Sequence, residues 1–560
     1  MKLCQNRMSL VAWVALCAAA LMSQGCGPTA PARDVDQAVV GDTPAAPADP
    51  FAITGELQTE QLAASAPSYP LVRRELPAAP PGLWAPPATC RAFEARKAGS
   101  NPSCIDPSSA HGSLDAALAL SDPSERDEAL LALEPCKHLS MGMVRALRAE
   151  LAPPECGDVI VGALVREPPA DMPGVIYDAL VGLALSGRLS RAAVSPPQLE
   201  PPYTKESVTK YIDSAMGAWV KQQATAIQVL AIIGAKLRHY GKAVVAVEAG
   251  LAEMRFIDAV RKVPVPEEIA KFDEAKETYY QRLESQLEAR KRRGRDAALV
   301  GLGQLAQVGV IRGLRVDRAR AILSRMYGGS PINALDGLQL PPLQPAGATT
   351  AEQRLAARLP TFYAGLTLQA DAVKEPMMLR MIIEKGLPIA HRIALGKTEL
   401  SPALRLLYAR GRFELAQNYW RSVDVDEAIG LLSEWPADRQ RPPEASLLLA
   451  LGIALHGGPA NAAEMMVRAP LADLRIGNVV ALDALADDGG KLATMAAFDA
   501  ALIKQLSAPA TANADYWRDV AARFRKAAGL MQDVHDKADA EQRASEADQT
   551  AAAIEPGAGD

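Results

Sequence analysis

Apolar residues recur at steps of three and four along most of the chain beyond residue 90. Val208, Ile212, Ala215, Trp219, Ala226, Leu230, Ile233 and Leu237 fall on one stripe apart from one double step, which is the period of a helix. The segment after Pro266 opens with Glu267 and Glu268 and closes with Arg290, Lys291, Arg292 and Arg293 before Gly294. Acid first, base last and glycine just beyond complement the helix dipole and a left-handed cap, so this spacing predicts one helix ~40 Å long. Proline clusters interrupt the pattern at "SPPQLEPPY" (195–203), "LPPLQPAGATT" (340–350) and "RPPE" (441–444). No stretch longer than a few residues alternates apolar and polar with β-branched side chains, so the expected fold class is all-α. Composition agrees: the chain is crowded with Ala and Leu, which lose little entropy in a helix, and aromatics make up only 5%.

The two ends follow other rules. Lys2 and Arg7 precede an apolar run from Leu10 to Met22, too short to span a bilayer but suited to the core of a signal peptide. The run ends at Ser23-Gln24-Gly25-Cys26. This resembles a bacterial lipoprotein signal, in which a small residue precedes a cysteine that is lipidated and becomes the new first residue. Gly25 and Cys26 match; Ser23 departs from the usual aliphatic residue. The resemblance implies a signal peptide over 1–25, palmitate-type acylation of Cys26 and a membrane anchor. Gly27, where an inner-membrane lipoprotein would carry Asp, implies the outer membrane facing the periplasm. Residues 26–88 are then a lipidated Pro/Ala-rich tether, expected to be disordered and to span ~45 Å on average as a flexible coil. Residues 536–560 are acidic and Ala-rich and end in Pro and Gly; they are expected to form a disordered tail.

Beyond the signal and Cys26, the cysteines are Cys90, Cys104, Cys136 and Cys156. An even number in an exported chain reads as two disulfides, and three connectivities are open. Their spacing does not match the paired C-x-x-C of a zinc site, and no metal or cofactor is expected. Three body regions follow: a disulfide-stapled helical region (89–200), a long-helix region (201–345) and a repeat region (346–535).

Within the last region, Leu415, Ala416 and Tyr419, followed by Ala428 and Leu432, are similar to the anchor positions of a tetratricopeptide repeat. Leu451 and Gly452 repeat the first-helix anchors 36 residues on, and Ala463 sits 35 residues after Ala428. Ala319 and Leu323 match an earlier second helix. The resemblance implies a superhelix of stacked helical hairpins over about residues 296–530. The alternative is an irregular helical bundle.

Candidate chemistry is sparse. "GLGQLA" (Gly301, Gly303, Ala306) spells a dinucleotide fingerprint but follows a helix, so close helix packing is expected. "GKT" (396–398) lacks the companion glycine of a phosphate loop, with His391 in its place. "RKRRGR" (290–295) reads as a solvated helix end or as a contact for anionic lipid or protein. Sixty basic residues against 65 acidic ones leave no basic field for nucleic acid. No catalytic residues can be assigned. The expectation is a non-enzymatic envelope lipoprotein whose repeat body binds or scaffolds other envelope proteins. The alternative is a superhelical periplasmic enzyme cleaving cell-wall glycan through a carboxylate.

Overall fold

The structure, a computed structural model, describes residues 69–78, 83–96, 103–310, 313–326, 337–341, 348–368, 400–419, 422–456 and 478–555. It is all-α, with no strand among the described residues. The chain divides into two compact units, with the main boundary between Leu305 and Ala306.

The first unit begins with α1 (Ala88–Ala95), α2 (Pro107–Ala119), α3 (Pro123–Leu133) and α4 (Met141–Leu151). Local signals start these helices: Asp106 and Asp122 cap α2 and α3 with proline at the first turn, and Ser140 caps α4. The sulfurs pair as Cys90–Cys156 and Cys104–Cys136, one loop nested in the other, with Cα separations of 5.1 and 5.8 Å. Both separations suit a disulfide. Between α3 and α4 lies a buried ion cluster. Arg148 makes a two-pronged contact with Asp127 (2.9 and 3.1 Å) and a third bond to Glu134 (2.7 Å), and Arg145 also meets Glu134.

Then follow α5 (Gly157–Arg166), α6 (Gly174–Ser190), α7 (Lys205–Tyr211), α8 (Gly217–Ala235) and α9 (His239–Arg261). A π turn at Ile212–Met216 joins α7 to α8. Helix α6 is the axis of the unit: apart from Arg188, all of its residues are buried, against α4, α5 and α9. A short α10 (Glu267–Ala270) leads into α11 (Asp273–Gln307).

Helix α11 corrects the expected cap. It runs straight through Gly294, because that glycine serves a helix crossing. A Cβ on Gly250 of α9 would lie 2.5 Å from the Gly294 carbonyl, and one on Gly301 would lie 2.5 Å from the Val247 nitrogen. Gly301 of "GLGQLA" therefore sits at a close helix crossing, inside α11. The basic run is paired as well. Arg290 meets Glu253 and covers the Phe256 ring at 3.7 Å, Arg292 meets Glu288 at 2.9 Å, and Arg295 meets Asp296 at 2.8 Å.

The second unit contains α12 (Leu314–Met326), α13 (Ala351–Arg358), α14 (Thr361–Thr367), α15 (Pro402–Tyr419), α16 (Ser422–Ser433) and α17 (Pro443–Leu455). It continues with α18 (Val480–Asp487), α19 (Ala493–Leu506), α20 (Ala514–Leu530) and α21 (Val534–Ile554). One core joins α15 to α21, and the extended segment 337–341 adds Leu338 and Leu340 to it. Helix α21 corrects the expected disordered tail. Ala540, Ala544, Ala547 and Ala551 recur at four, three and four residues, forming a buried stripe of small side chains that lets α21 pack on α20. Its charged residues face out, which is why composition alone reads as disorder.

Candidate functional site

The described residues ahead of α1 do not behave as a tether. Residues 69–78 run extended along α6, and 83–87 follow before α1, where composition predicts a flexible segment to residue 88. Fixing an extended backbone costs about 1–2 kcal/mol per residue. The strap offsets that cost with main-chain hydrogen bonds and one ring clamp.

The clamp is built around Tyr69. Its hydroxyl donates to Asp178 Oδ2 at 3.0 Å, and its carbonyl accepts from the Gly174 N–H at 3.0 Å. The Arg238 guanidinium lies 4.7 Å over the ring, and the His239 imidazole stacks with it at 5.9 Å. Gly174 is required here, since a Cβ would sit 2.5 Å from Tyr69 Cδ2. Asp178 also accepts from the Arg238 main-chain N–H at 3.2 Å. Burial pushes the Asp178 carboxyl above its ordinary range against these hydrogen bonds and the nearby Arg74 and Arg238 charges. Burial and the Asp178 charge push the Tyr69 phenol up. The phenol therefore stays protonated at neutral pH and remains a donor.

Further along, the Arg74 N–H donates to Tyr177 Oη at 3.0 Å, and the Arg74 side chain donates to the Lys236 carbonyl at 3.2 Å. The Tyr177 hydroxyl in turn donates to the Val165 carbonyl at 3.3 Å. Arg188 then donates to the Pro77 carbonyl at 2.7 Å. Arg191 donates to the Trp84 carbonyl at 2.6 Å while gripping both Asp158 oxygens at 2.7 Å. Register follows from this order: the strap and α6 run in the same direction. Two residues at the edges hold left-handed backbone, His239 at φ 47° and Trp84 at φ 65°. Such conformations cost about 1–3 kcal/mol in a non-glycine residue and persist where surrounding contacts fix them. Beside Tyr69, an open cleft of about 630 Å³ lies between strap residues Pro70, Leu71 and Arg73 and the loop from Pro168 to Pro173. The arrangement holds an extended segment of this same chain along α6.

The repeat anchors fall on helices. Ala319 and Leu323 are buried on α12, Leu415 and Ala416 on α15, Ala428 and Leu432 on α16, and Leu451 on α17. Tyr419 ends α15. A Cβ on Gly452 would lie 2.7 Å from Ile429, so α17 crosses close over α16. Cys26, the 396–398 segment and Ala463 lie outside the described residues. Sequence reasoning missed the strap, whose signal is the break in the Pro/Ala run at "YPLVRREL" (69–76). It also missed the charge between the hairpin helices, where buried Arg412 meets Asp424 and Glu427, each at 2.6 Å. Among the described residues, no three His, Cys, Asp or Glu side chains are grouped to hold a metal ion, and no helix is long and apolar enough to cross a membrane. No protein-family model, curated protein or solved structure matches this chain.

Proposed function

We propose that this protein is a non-enzymatic envelope lipoprotein, anchored through Cys26 in the outer membrane, whose helical body binds or scaffolds other proteins in the periplasm. The observation that carries the reading is the pairing of all four body cysteines into nested disulfides, Cys90–Cys156 and Cys104–Cys136. Such pairs persist in oxidising compartments outside the cytoplasm, which fits the signal-like start and the cysteine at position 26. Consecutive packing of α15, α16 and α17, with Ala428 and Gly452 at the crossings, supports a tetratricopeptide-like stack. Stacked hairpins present a broad surface suited to an extended peptide or a partner helix.

The test is crosslinking in intact envelopes followed by identification of the adducts. The reading expects the same few envelope proteins in repeated captures. Adducts no different from those of an unrelated lipoprotein of equal abundance would contradict it.

A further inference from the structure

Residues 69–77 are held on the body in the manner of a bound peptide. We propose that the groove along α6 is an exchangeable peptide site, whose other occupant is the same segment of a second copy of this chain. The contacts define a register: a phenol and carbonyl at Tyr69, a main-chain N–H and guanidinium at Arg74, and a carbonyl at Pro77. The strap's own side chains bury little. Tyr69, Leu71, Arg74, Leu76 and Pro77 are half-buried, Pro70, Val72, Arg73 and Glu75 are exposed, and none of residues 69–77 is fully buried. It can therefore leave without opening the core beneath. The receiving groups belong to packed helices and their ends: Gly174, Tyr177, Asp178 and Arg188 on α6, and the Lys236–His239 turn. Every copy carries both the segment and the groove that fits it. Reciprocal exchange thus closes on itself as a two-fold pair, with no new complementary surface needed. The exchange involves only the folded body and needs no lipid anchor.

Arg73 on the strap and Asp171 on the facing loop line the same cleft, which gives a direct test. One full-length chain carries Arg73→Cys, a second carries Asp171→Cys, and the two are co-expressed and treated with a short bismaleimide. A chain with both substitutions reports the arrangement within one copy. The expected result is an internal adduct in the double variant and a covalent dimer from the mixed chains, mapped to positions 73 and 171. Gly174→Ala in the receiving chain, or Tyr69→Ala in the donating chain, should abolish the dimer while both chains stay folded by circular dichroism. An internal adduct with no dimer would overturn exchange. A dimer that survives both substitutions would place the contact elsewhere. Absence of both the internal adduct and the dimer would overturn the groove itself.

Discussion

Tyr69 and Asp178 lie 109 positions apart and share a hydrogen bond of 3.0 Å, with the phenol as donor. The bond fixes where the N-terminal segment first meets the helical body. Tyr69→Phe keeps the ring between Arg238 and His239 but removes the donor from a buried carboxyl. The expected cost is about 1–3 kcal/mol. Hydrogen exchange should speed up over residues 69–78 and stay unchanged across α20 and α21. Unchanged exchange in the strap would mean that the ring alone holds it.

Asp499 is fully buried on α19, where one oxygen accepts from the Gln339 N–H at 2.7 Å and the other has no hydrogen-bond partner among the described residues. Burial raises its pKa well above the ordinary carboxylate value, against the Gln339 hydrogen bond. The folded protein then holds this proton to higher pH than the unfolded chain does. Stability should fall as pH climbs from about 4 toward the raised value, because the folded state is the one that binds more protons there. Asp499→Asn preserves the acceptor for Gln339 and removes the titration. The variant should gain stability relative to the parent as pH rises, measured by thermal melts at pH 4.5 and 7.5. Parallel pH profiles would count against a neutral Asp499 in the fold.

Disulfide mapping of the unreduced protein should recover peptides joining Cys90 to Cys156 and Cys104 to Cys136, with no titratable thiol among the four. Each closed loop should contribute about 3–4 kcal/mol on the chain-entropy account. Peptides joining Cys90 to Cys104 would contradict the nested pairing.

Much of this architecture is legible in the sequence, for local reasons. Asp106, Asp122 and Ser140 cap helices through their own neighbours, and the buried positions Ala428, Leu432 and Leu451 follow the helical period. The misreadings come from residues whose role is set at a distance. Gly294 looks like a cap because a cap and a close helix crossing both need the missing Cβ, and only Gly250 on the facing helix decides between them. The 540–551 alanines read as low complexity until α20 supplies the surface they pack on. Tyr69 sits in a Pro/Ala run, and its partners Gly174, Asp178 and Arg238 are more than a hundred residues away. Arg412 interrupts an apolar hairpin pattern, and its counter-charges lie on the next helix.

Ala428 is fully buried in the core shared by α15, α16 and α17. Ala428→Arg forces a long stem and an unpaired charge into that contact and should cost several kcal/mol. If the hairpins lean on one another as a repeat stack, protection from hydrogen exchange should fall over residues 400–510 and hold in the disulfide region. Uniform loss over the whole second unit, through α21, would instead indicate one cooperative bundle.

The anchor itself is tested most directly by fractionating cells that express the full chain or its Cys26→Ser variant. Multiple acyl chains on one cysteine bind a bilayer far more strongly than one, at about 0.8 kcal/mol per buried methylene. The full chain should sediment with outer membranes and carry fatty acyl mass on a peptide beginning at Cys26, and the variant should move to the soluble periplasmic fraction. A variant that still sediments with membranes, or a parent with no acyl mass at Cys26, would contradict the lipoprotein reading.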